Sequence, residues 1–148
     1  MKNELKLKEF LPYRLSVLSN RISSDIARRY QERFSLTIPE WRVMASLGET
    51  PGLSARQVAD KTAMDKVAVS RAVAGLLAVK SITRKTDTAD KRKVILTLSK
   101  KGQAVYRQVV PVALAYEAAI LDQLEPGEKQ ALSKLLDRIF EIQAGIKP

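Results

Sequence analysis

Four consecutive residues, Asp90, Lys91, Arg92 and Lys93, place one carboxylate and three cations directly before the short apolar segment VILTL. A second basic pair, Lys100–Lys101, follows that segment. Cations at this density suit a polyanionic partner, because ammonium and guanidinium groups donate strong hydrogen bonds to phosphate oxygens. Nucleic acid and an anionic membrane surface are the two partners that such a stretch favours.

A second chemically distinctive group lies on one face of a predicted helix that Asp65 can cap. This face consists of Lys66, Val67, Ser70, Arg71 and Ala74. Small side chains allow close approach to a groove, while lysine, serine and arginine donate to phosphates or base edges. Whether Ser70 and Arg71 would meet bases or phosphates is left open by the sequence. The opposite, apolar face is predicted to be buried: Val69, Ala72, Val73, Leu76 and Leu77.

The charge distribution supports a polyanionic partner. The 148-residue chain has a formal net charge of +10. Residues 51–102 contain 12 Lys and Arg against 4 Asp and Glu, so most of the excess lies in the middle third. Evenly scattered solubilising charges would not concentrate in this way.

Two absences narrow the chemistry. The chain has no histidine and no cysteine, which excludes Ser-His-Asp catalysis, thiol chemistry and ordinary zinc sites. The acidic residues form no paired set on one face, so we expect no enzyme, no metal site and no cofactor. No apolar window approaches a membrane span and no signal core is present, which favours a cytoplasmic protein without a membrane partner.

Helices are predicted on both sides of the basic middle third. An apolar stripe spaced by three and four residues predicts a long helix over residues 10–34. Thr37 can cap a second helix, with Pro39 in its first turn, that runs to about Leu47. Ser54 can cap a short third helix that turns Val58 and Ala59 inward.

The rest of the chain contains a hairpin and two more helices. SITRKT and VILTL predict two short strands joined by a projecting loop. Ser99 can cap a long helix that Pro111 should kink, and a last helix follows the LEPGEK break. The two outer helical regions carry more apolar surface than the middle unit could cover.

The stretch DKVAVSRAVAGLLAVKSITRKTDTADKRKVILTLSKKG resembles the wing region of the MarR (multiple antibiotic resistance regulator) family. The family pattern of Asp, Arg, a strand, LT or LS and then Gly is matched by Asp90, Arg92, VILTLS and Gly102. The resemblance extends over nearly the whole chain. It implies a mainly α fold with a small β-hairpin wing. Residues 37–102 would form the winged helix-turn-helix DNA-binding region. Dimerisation helices would come from residues 1–36 and 103–148.

The resemblance also implies roles for single residues. The helix after Asp65 would enter a major groove and the wing an adjacent minor groove, where negative potential favours an inserted Arg92. Asp90 would orient its basic neighbours, and Lys91 and Lys93 would meet flanking phosphates. The expected DNA contacts are Ser54, Lys66, Val67, Ser70, Arg71, Ala74, Asp90, Lys91, Arg92 and Lys93.

An effector pocket is a further hypothesis. FLPYRLSVLSNRI and LTIPEWRVMASL are similar to family members thought to respond to aromatic acids. Tyr13, Arg14, Trp41 and Arg42 could offer an apolar wall and a cationic fork for an aromatic carboxylate. Ordinary packing of the aromatics and surface charge of the arginines is the alternative for each residue.

The sequence therefore predicts a homodimeric, sequence-specific transcriptional regulator that binds a palindromic operator. We expect a repressor relieved by a small aromatic effector, through a spacing of the recognition helices that no longer fits successive major grooves. The alternative is an architectural DNA-binding protein of low sequence specificity without an effector. The operator, the regulated genes and the effector are not named by the sequence, nor is whether the effector releases or strengthens DNA binding.

Overall fold

The computed structural model describes residues 3–148. After a short 3-10 turn at Leu7–Glu9, the elements are α1 (Leu11–Phe34), α2 (Ile38–Glu49), α3 (Ala55–Thr62), α4 (Lys66–Ala78), β1 (Ile82–Thr86), β2 (Val94–Leu98), α5 (Lys100–Leu121) and α6 (Pro126–Gly145). The predicted mainly α winged helix fold with one hairpin is confirmed. The chain forms two compact units, one ending at Val112 and the other spanning Ala113–Pro148.

Local hydrogen bonds set the starts of the helices in the first unit. Thr37 Oγ1 accepts from the Glu40 N–H at 3.2 Å, and the Glu40 carboxylate accepts from the Thr37 N–H at 2.9 Å. Ser54 and Gln57 form the same reciprocal pair at the start of α3. These capping boxes satisfy N–H groups that the first helical turn leaves without partners. The predicted caps at Thr37 and Ser54 are confirmed.

The hairpin pairs antiparallel, with Ile82 opposite Leu98 and Thr86 opposite Val94. A third piece of backbone joins it: the Leu96 N–H donates to the Leu53 carbonyl at 2.8 Å. This bridge ties the base of the wing to the residue before the α3 cap. The sequence did not predict it, because a single paired residue leaves no alternating pattern.

One hydrophobic core holds the first unit together. Its largest fully buried side chains are Tyr30, Val43, Met44, Leu47, Val58, Val69, Leu76, Ile82 and Val109. They come from α1 to α5 and from β1, and β2 contributes the buried Leu96. The stripe of α1 enters this core only in its second half. Leu11, Leu15 and Leu18, in the first half, are exposed.

The second unit contains the end of α5 and the whole of α6. None of its residues is buried. Its exposed large apolar side chains are Leu114, Ile120, Leu132, Leu135, Leu136, Phe140, Ile142 and Ile146. An apolar stripe that no part of its own unit covers is typical of an interaction surface.

Three sequence expectations have different outcomes. The expectation that no apolar window reaches membrane-spanning length is wrong, because α5 is long and apolar enough by length and composition. Alanine and valine make up much of this helix, and 6% of its apolar stretch is buried. The helix also continues through Pro111. The predicted grouping of residues 1–36 with 103–148 concerns two copies of the chain and stays a prediction.

Candidate nucleic-acid interface

Helix α4 presents the predicted polar face to solvent. Lys66, Val67, Ser70, Arg71 and Ala74 are all exposed. The opposite face is buried at Val69, Ala72, Val73 and Leu76. Val67, an apolar residue on the exposed face, is 56% exposed. The exposed face therefore has the small size and donor groups that a groove would require.

The start of α4 is fixed by Asp65. Its carboxylate oxygen Oδ1 accepts from the Val67 N–H at 2.6 Å and from the Ala68 N–H at 3.4 Å. The predicted cap is confirmed. The break before it is made by Ala63, which adopts a left-handed φ of 53°. Short polar caps thus place Lys66 and Ser70 on the first turns of a helix whose other side is held by the core.

The tip of the wing is organised by two aspartates. Asp87 Oδ1 accepts from the Ala89 N–H at 3.0 Å, and Asp90 Oδ1 accepts from the Arg92 N–H at 3.1 Å. The Asp90 carbonyl also accepts from the Lys93 N–H at 3.0 Å. Asp90 therefore shapes the backbone that carries Arg92, whose exposed side chain extends from the tip.

An open groove of about 520 Å³ separates α3 from the wing. It is lined by Ser54, Ala55, Arg56, Gln57, Asp90, Arg92, Lys93 and Val94. A second groove, of about 200 Å³, lies between α3 and the start of α4 and is lined by Ala55, Arg56, Ala59, Lys66, Val69 and Ser70. Six of the ten predicted contacts thus line these two grooves, whereas the other four line neither: Val67, Arg71, Ala74 and Lys91.

Arg56 lines both grooves and is exposed. It lies between the basic start of α4 and the basic tip of the wing. Arg56 is not among the contacts predicted from the sequence, because its position between two basic segments depends on the wing folding back beside α3. Its position two residues after a helix cap was the available signal.

The predicted effector residues fall into two groups. Trp41 packs between two tyrosines, with ring centroids 5.9 Å from Tyr30 and 5.9 Å from Tyr106. Arg42 donates from Nη2 to Ser23 Oγ at 3.1 Å. Burial raises the pKa of Tyr30, and the positive charge of Arg42 acts in the opposite direction. Trp41 and Arg42 therefore belong to one partly buried aromatic cluster with a cation beside it.

Tyr13 and Arg14 lie elsewhere on α1. Both are exposed and precede Ser23 by ten and nine residues, which is roughly 15 Å along the helix at 1.5 Å per residue. Since Arg42 meets α1 at Ser23, a single chain does not bring Tyr13 and Arg14 to the aromatic cluster. All four residues could line one pocket only with help from another chain.

Comparison with known proteins gives one consistent result. The model of the MarR family matches residues 34–93. The transcriptional regulator BilQ of Clostridium symbiosum is 31% identical over 93 residues, which is 63% of this chain and 65% of BilQ. The chain thus spans slightly less than two thirds of that relative. The repressor Mb2911 of Mycobacterium bovis is 23% identical over 88% of this chain and 91% of its own length.

Solved structures match along more of the chain. A MarR/EmrR family regulator from Acinetobacter has a TM-score of 0.86 at 25% identity, covering 96% of this chain and 100% of that one. Bordetella bronchiseptica BpsR, described with regulation of its DNA binding by 6-hydroxynicotinic acid, has a TM-score of 0.78 at 26% identity. Its match covers 93% of this chain and 97% of BpsR. Both units of the fold therefore have counterparts in proteins of this kind.

Proposed function

Because the chain belongs to the MarR family, whose members are DNA-binding transcriptional regulators and not enzymes, we propose that it is a homodimeric repressor. It binds a palindromic operator and is released by a small aromatic acid. A chromosomal operator implies that it works in the cytoplasm. The observation that carries the proposal is that the exposed donor face of α4 and the basic wing tip each share a groove with α3, and that Arg56 lines both grooves.

The proposed DNA contacts divide by position. Helix α4 would supply Lys66, Ser70 and Arg71 to a major groove, with Val67 and Ala74 permitting close approach. The wing would supply Arg92 to the neighbouring minor groove. Ser54, Asp90, Lys91 and Lys93 would support or meet the backbone, and Arg56 is added as a phosphate contact between the two grooves.

Exposed apolar surface supports the homodimer. In the first unit the beginning of α1 exposes Leu11, Leu15 and Leu18, the last to 57%. In the second unit Leu135 and Phe140 are 57% and 74% exposed. A second copy of the chain would remove these faces from water, and a two-fold axis would present two α4 helices to half-sites about one helical turn apart.

The effector proposal has narrower support. BpsR, a similar protein, is described with regulation by an aromatic acid. In this chain Trp41 supplies a flat apolar wall between two tyrosines, with Arg42 beside it. Tyr13 and Arg14 would join that cluster only from the partner subunit. The ligand would release DNA by binding more tightly to a dimer whose recognition helices are wrongly spaced.

DNA binding is tested with duplexes selected from random sequence by the wild-type protein. Arg92→Ala should weaken binding by about tenfold at fixed salt while leaving the fold intact. Arg56→Ala should weaken selected and unselected duplexes alike and reduce the salt dependence by about one ion. Arg138→Ala, which removes the same charge from an exposed position in the second unit, is the control and should bind as the wild type does.

Two outcomes would overturn parts of this function. Wild-type affinity in the Arg92→Ala protein would remove the wing assignment. A wild-type protein that selects no sequence and binds all duplexes equally would favour the architectural alternative.

The effector is tested by titrating phenolic and cinnamic-type acids into the protein–DNA complex. Release by at least one of them, lost in an Arg42→Gln variant that still binds DNA, is the expected result. If none releases DNA, the aromatic-acid proposal fails and the DNA-binding function stands.

A further inference from the structure

The C-terminal end of α4 is closed by a tight turn. Lys80 adopts a left-handed conformation with φ of 61°. The Ser81 N–H donates to the Leu76 carbonyl at 2.9 Å, which is a common way to satisfy the last carbonyl groups of a helix. The next three carbonyl groups along the chain, those of residues 79–81, accept their hydrogen bonds from a distant segment.

That segment is the beginning of α5. Ser99 Oγ donates to the Lys80 carbonyl at 2.6 Å, and the Ser99 N–H donates to the Ser81 carbonyl at 3.0 Å. Lys101 Nζ donates to the Val79 carbonyl at 2.7 Å. A cation at a helix C-terminus is also favoured by the negative end of the helix dipole. Two residues of one helix start thus bond to three consecutive carbonyls at the other helix's end.

Gly102 brings the two backbones into direct contact. A Cβ atom at this position would lie 1.9 Å from the Ser81 carbonyl oxygen, far inside van der Waals contact. The Gly102 N–H donates to Ser99 Oγ at 3.1 Å, so the same hydroxyl caps α5 and bonds to the end of α4. Gly102 and Ser81 are both buried. We call residues 79–81 together with residues 99–102 the α4–α5 junction.

We propose that Ser99, Lys101 and Gly102 are positioning residues that fix the direction of α4 against the first turns of α5. In this role they act through the orientation of α4 and not through contact with DNA. The inference rests on the proposed homodimer, in which each recognition helix must meet its half-site at a set distance from the other. Because α4 cannot turn relative to α5 without breaking its bonds to Ser99 and Lys101, the junction couples the distance between the two recognition helices to the position of α5.

A purely stabilising role would give a different result from a positioning role. If the junction only stabilised the fold, its loss would lower the unfolding midpoint and leave the preferred operator geometry unchanged. If Lys101 bound a phosphate, its loss would weaken every duplex by a similar factor. A positioning role instead changes the dependence of affinity on the distance between half-sites, while binding to a single half-site is preserved.

The experiment measures affinity for a palindromic duplex selected by the wild-type protein and for versions with one or two base pairs added or removed at the centre. The wild type should lose about tenfold in affinity per altered base pair near the usual spacing of about 10 base pairs. Ser99→Ala and Lys101→Met should lose less than about threefold across the same series. All three proteins should bind a single half-site equally.

Lys100→Met is the matched control, since it removes the same charge from the neighbouring exposed residue. It should keep the wild-type spacing profile. Gly102→Ala should disrupt the junction most, because its Cβ would collide with the Ser81 carbonyl oxygen. If that variant does not fold, Ser99→Ala and Lys101→Met still test the positioning role. Variants with the wild-type profile would overturn the junction proposal alone. A wild type that binds every spacing equally would overturn the palindromic dimer as well.

Discussion

The two compact units of this chain use apolar residues in opposite ways. In the first unit most apolar helix faces meet one another, and residues such as Leu76 and Val43 are fully buried, while the first half of α1 stays exposed. In the second unit, Ala113–Pro148, equally regular stripes remain exposed, and Phe140 is 74% accessible. Helical periodicity predicts that a face will be covered, but it does not say by which chain.

Polar residues cap helices in both units: at the start of α6 the Glu125 N–H donates to Glu128 Oε1 at 2.9 Å. The first unit uses them to fix geometry: Thr37, Ser54 and Asp65 cap helices, and Ser99 links α4 to α5. The resulting rigid unit offers its remaining donors outward on α4 and on the wing. The second unit has an ion pair between Lys129 and Asp122, 3.0 Å apart and exposed, which contributes little stability. The side chains predicted to contact DNA therefore lie in the first unit, whereas both units expose apolar helix faces.

The largest expected effect comes from opening the core of the first unit. Leu76→Ala should lower the free energy of unfolding by about 3 kcal/mol, because it removes a fully buried side chain and leaves a cavity. Trp41 is the only tryptophan and lies in this unit, so denaturation followed by its fluorescence reports the loss. Val67→Ala, on the exposed face of the same helix, is the control and should change stability by less than about 0.5 kcal/mol.

A negative charge introduced into the apolar stripe of the second unit should weaken dimer formation without unfolding the first unit. Leu135→Glu places a carboxylate where the proposed partner covers an apolar side chain, and should weaken the dimer by at least about tenfold. Sedimentation over a dilution series measures this, while the Trp41 emission of the first unit should stay native. Lys134→Glu, the control, introduces the same carboxylate at the adjacent exposed position without removing an apolar side chain, and should leave the dimer intact. Equal dissociation in both variants would contradict the role of the apolar stripe.

Local signals in the sequence predicted much of the fold. The caps at Thr37, Ser54 and Asp65 depend on residues within three positions, so the amino-acid sequence alone identifies them. The two strands and the loop between them were predicted for the same reason. The bridge from Leu53 to Leu96 was not, because it joins residues 43 positions apart through a single backbone bond.

The candidate site divides along the same line. The face of α4 follows from helical spacing alone, so its exposed residues were predicted together. Arg56 was missed because only the folded wing brings Arg92 and Lys93 to the other side of its groove. Tyr13 and Trp41 were grouped by residue type, and the roughly 15 Å along α1 between Tyr13 and the contact of Arg42 became visible only with the structure.

The smallest expected effect tests whether the first unit is as tightly packed at its aromatic cluster as at α4. Burial raises the pKa of Tyr30 above its ordinary value of 10.0, and Arg42 partly opposes the shift. Because the unfolded chain then loses the phenol proton first, stability is unaffected below about pH 10 and falls as pH rises through the folded-state pKa. Tyr30→Phe keeps the ring against Trp41 and removes that decline, which the difference between the two proteins' unfolding free energies against pH would measure.

Arg42→Met sharpens this test, because it removes the positive charge that favours the phenolate. In that variant the Tyr30 pKa should rise further, so the decline in stability should extend to higher pH than in the wild type. Identical alkaline profiles for the wild type and Tyr30→Phe would mean that water reaches the phenol in solution. The aromatic cluster would then resemble the open face of the second unit more than the closed core around Leu76, and the wall proposed for an aromatic acid would be solvated.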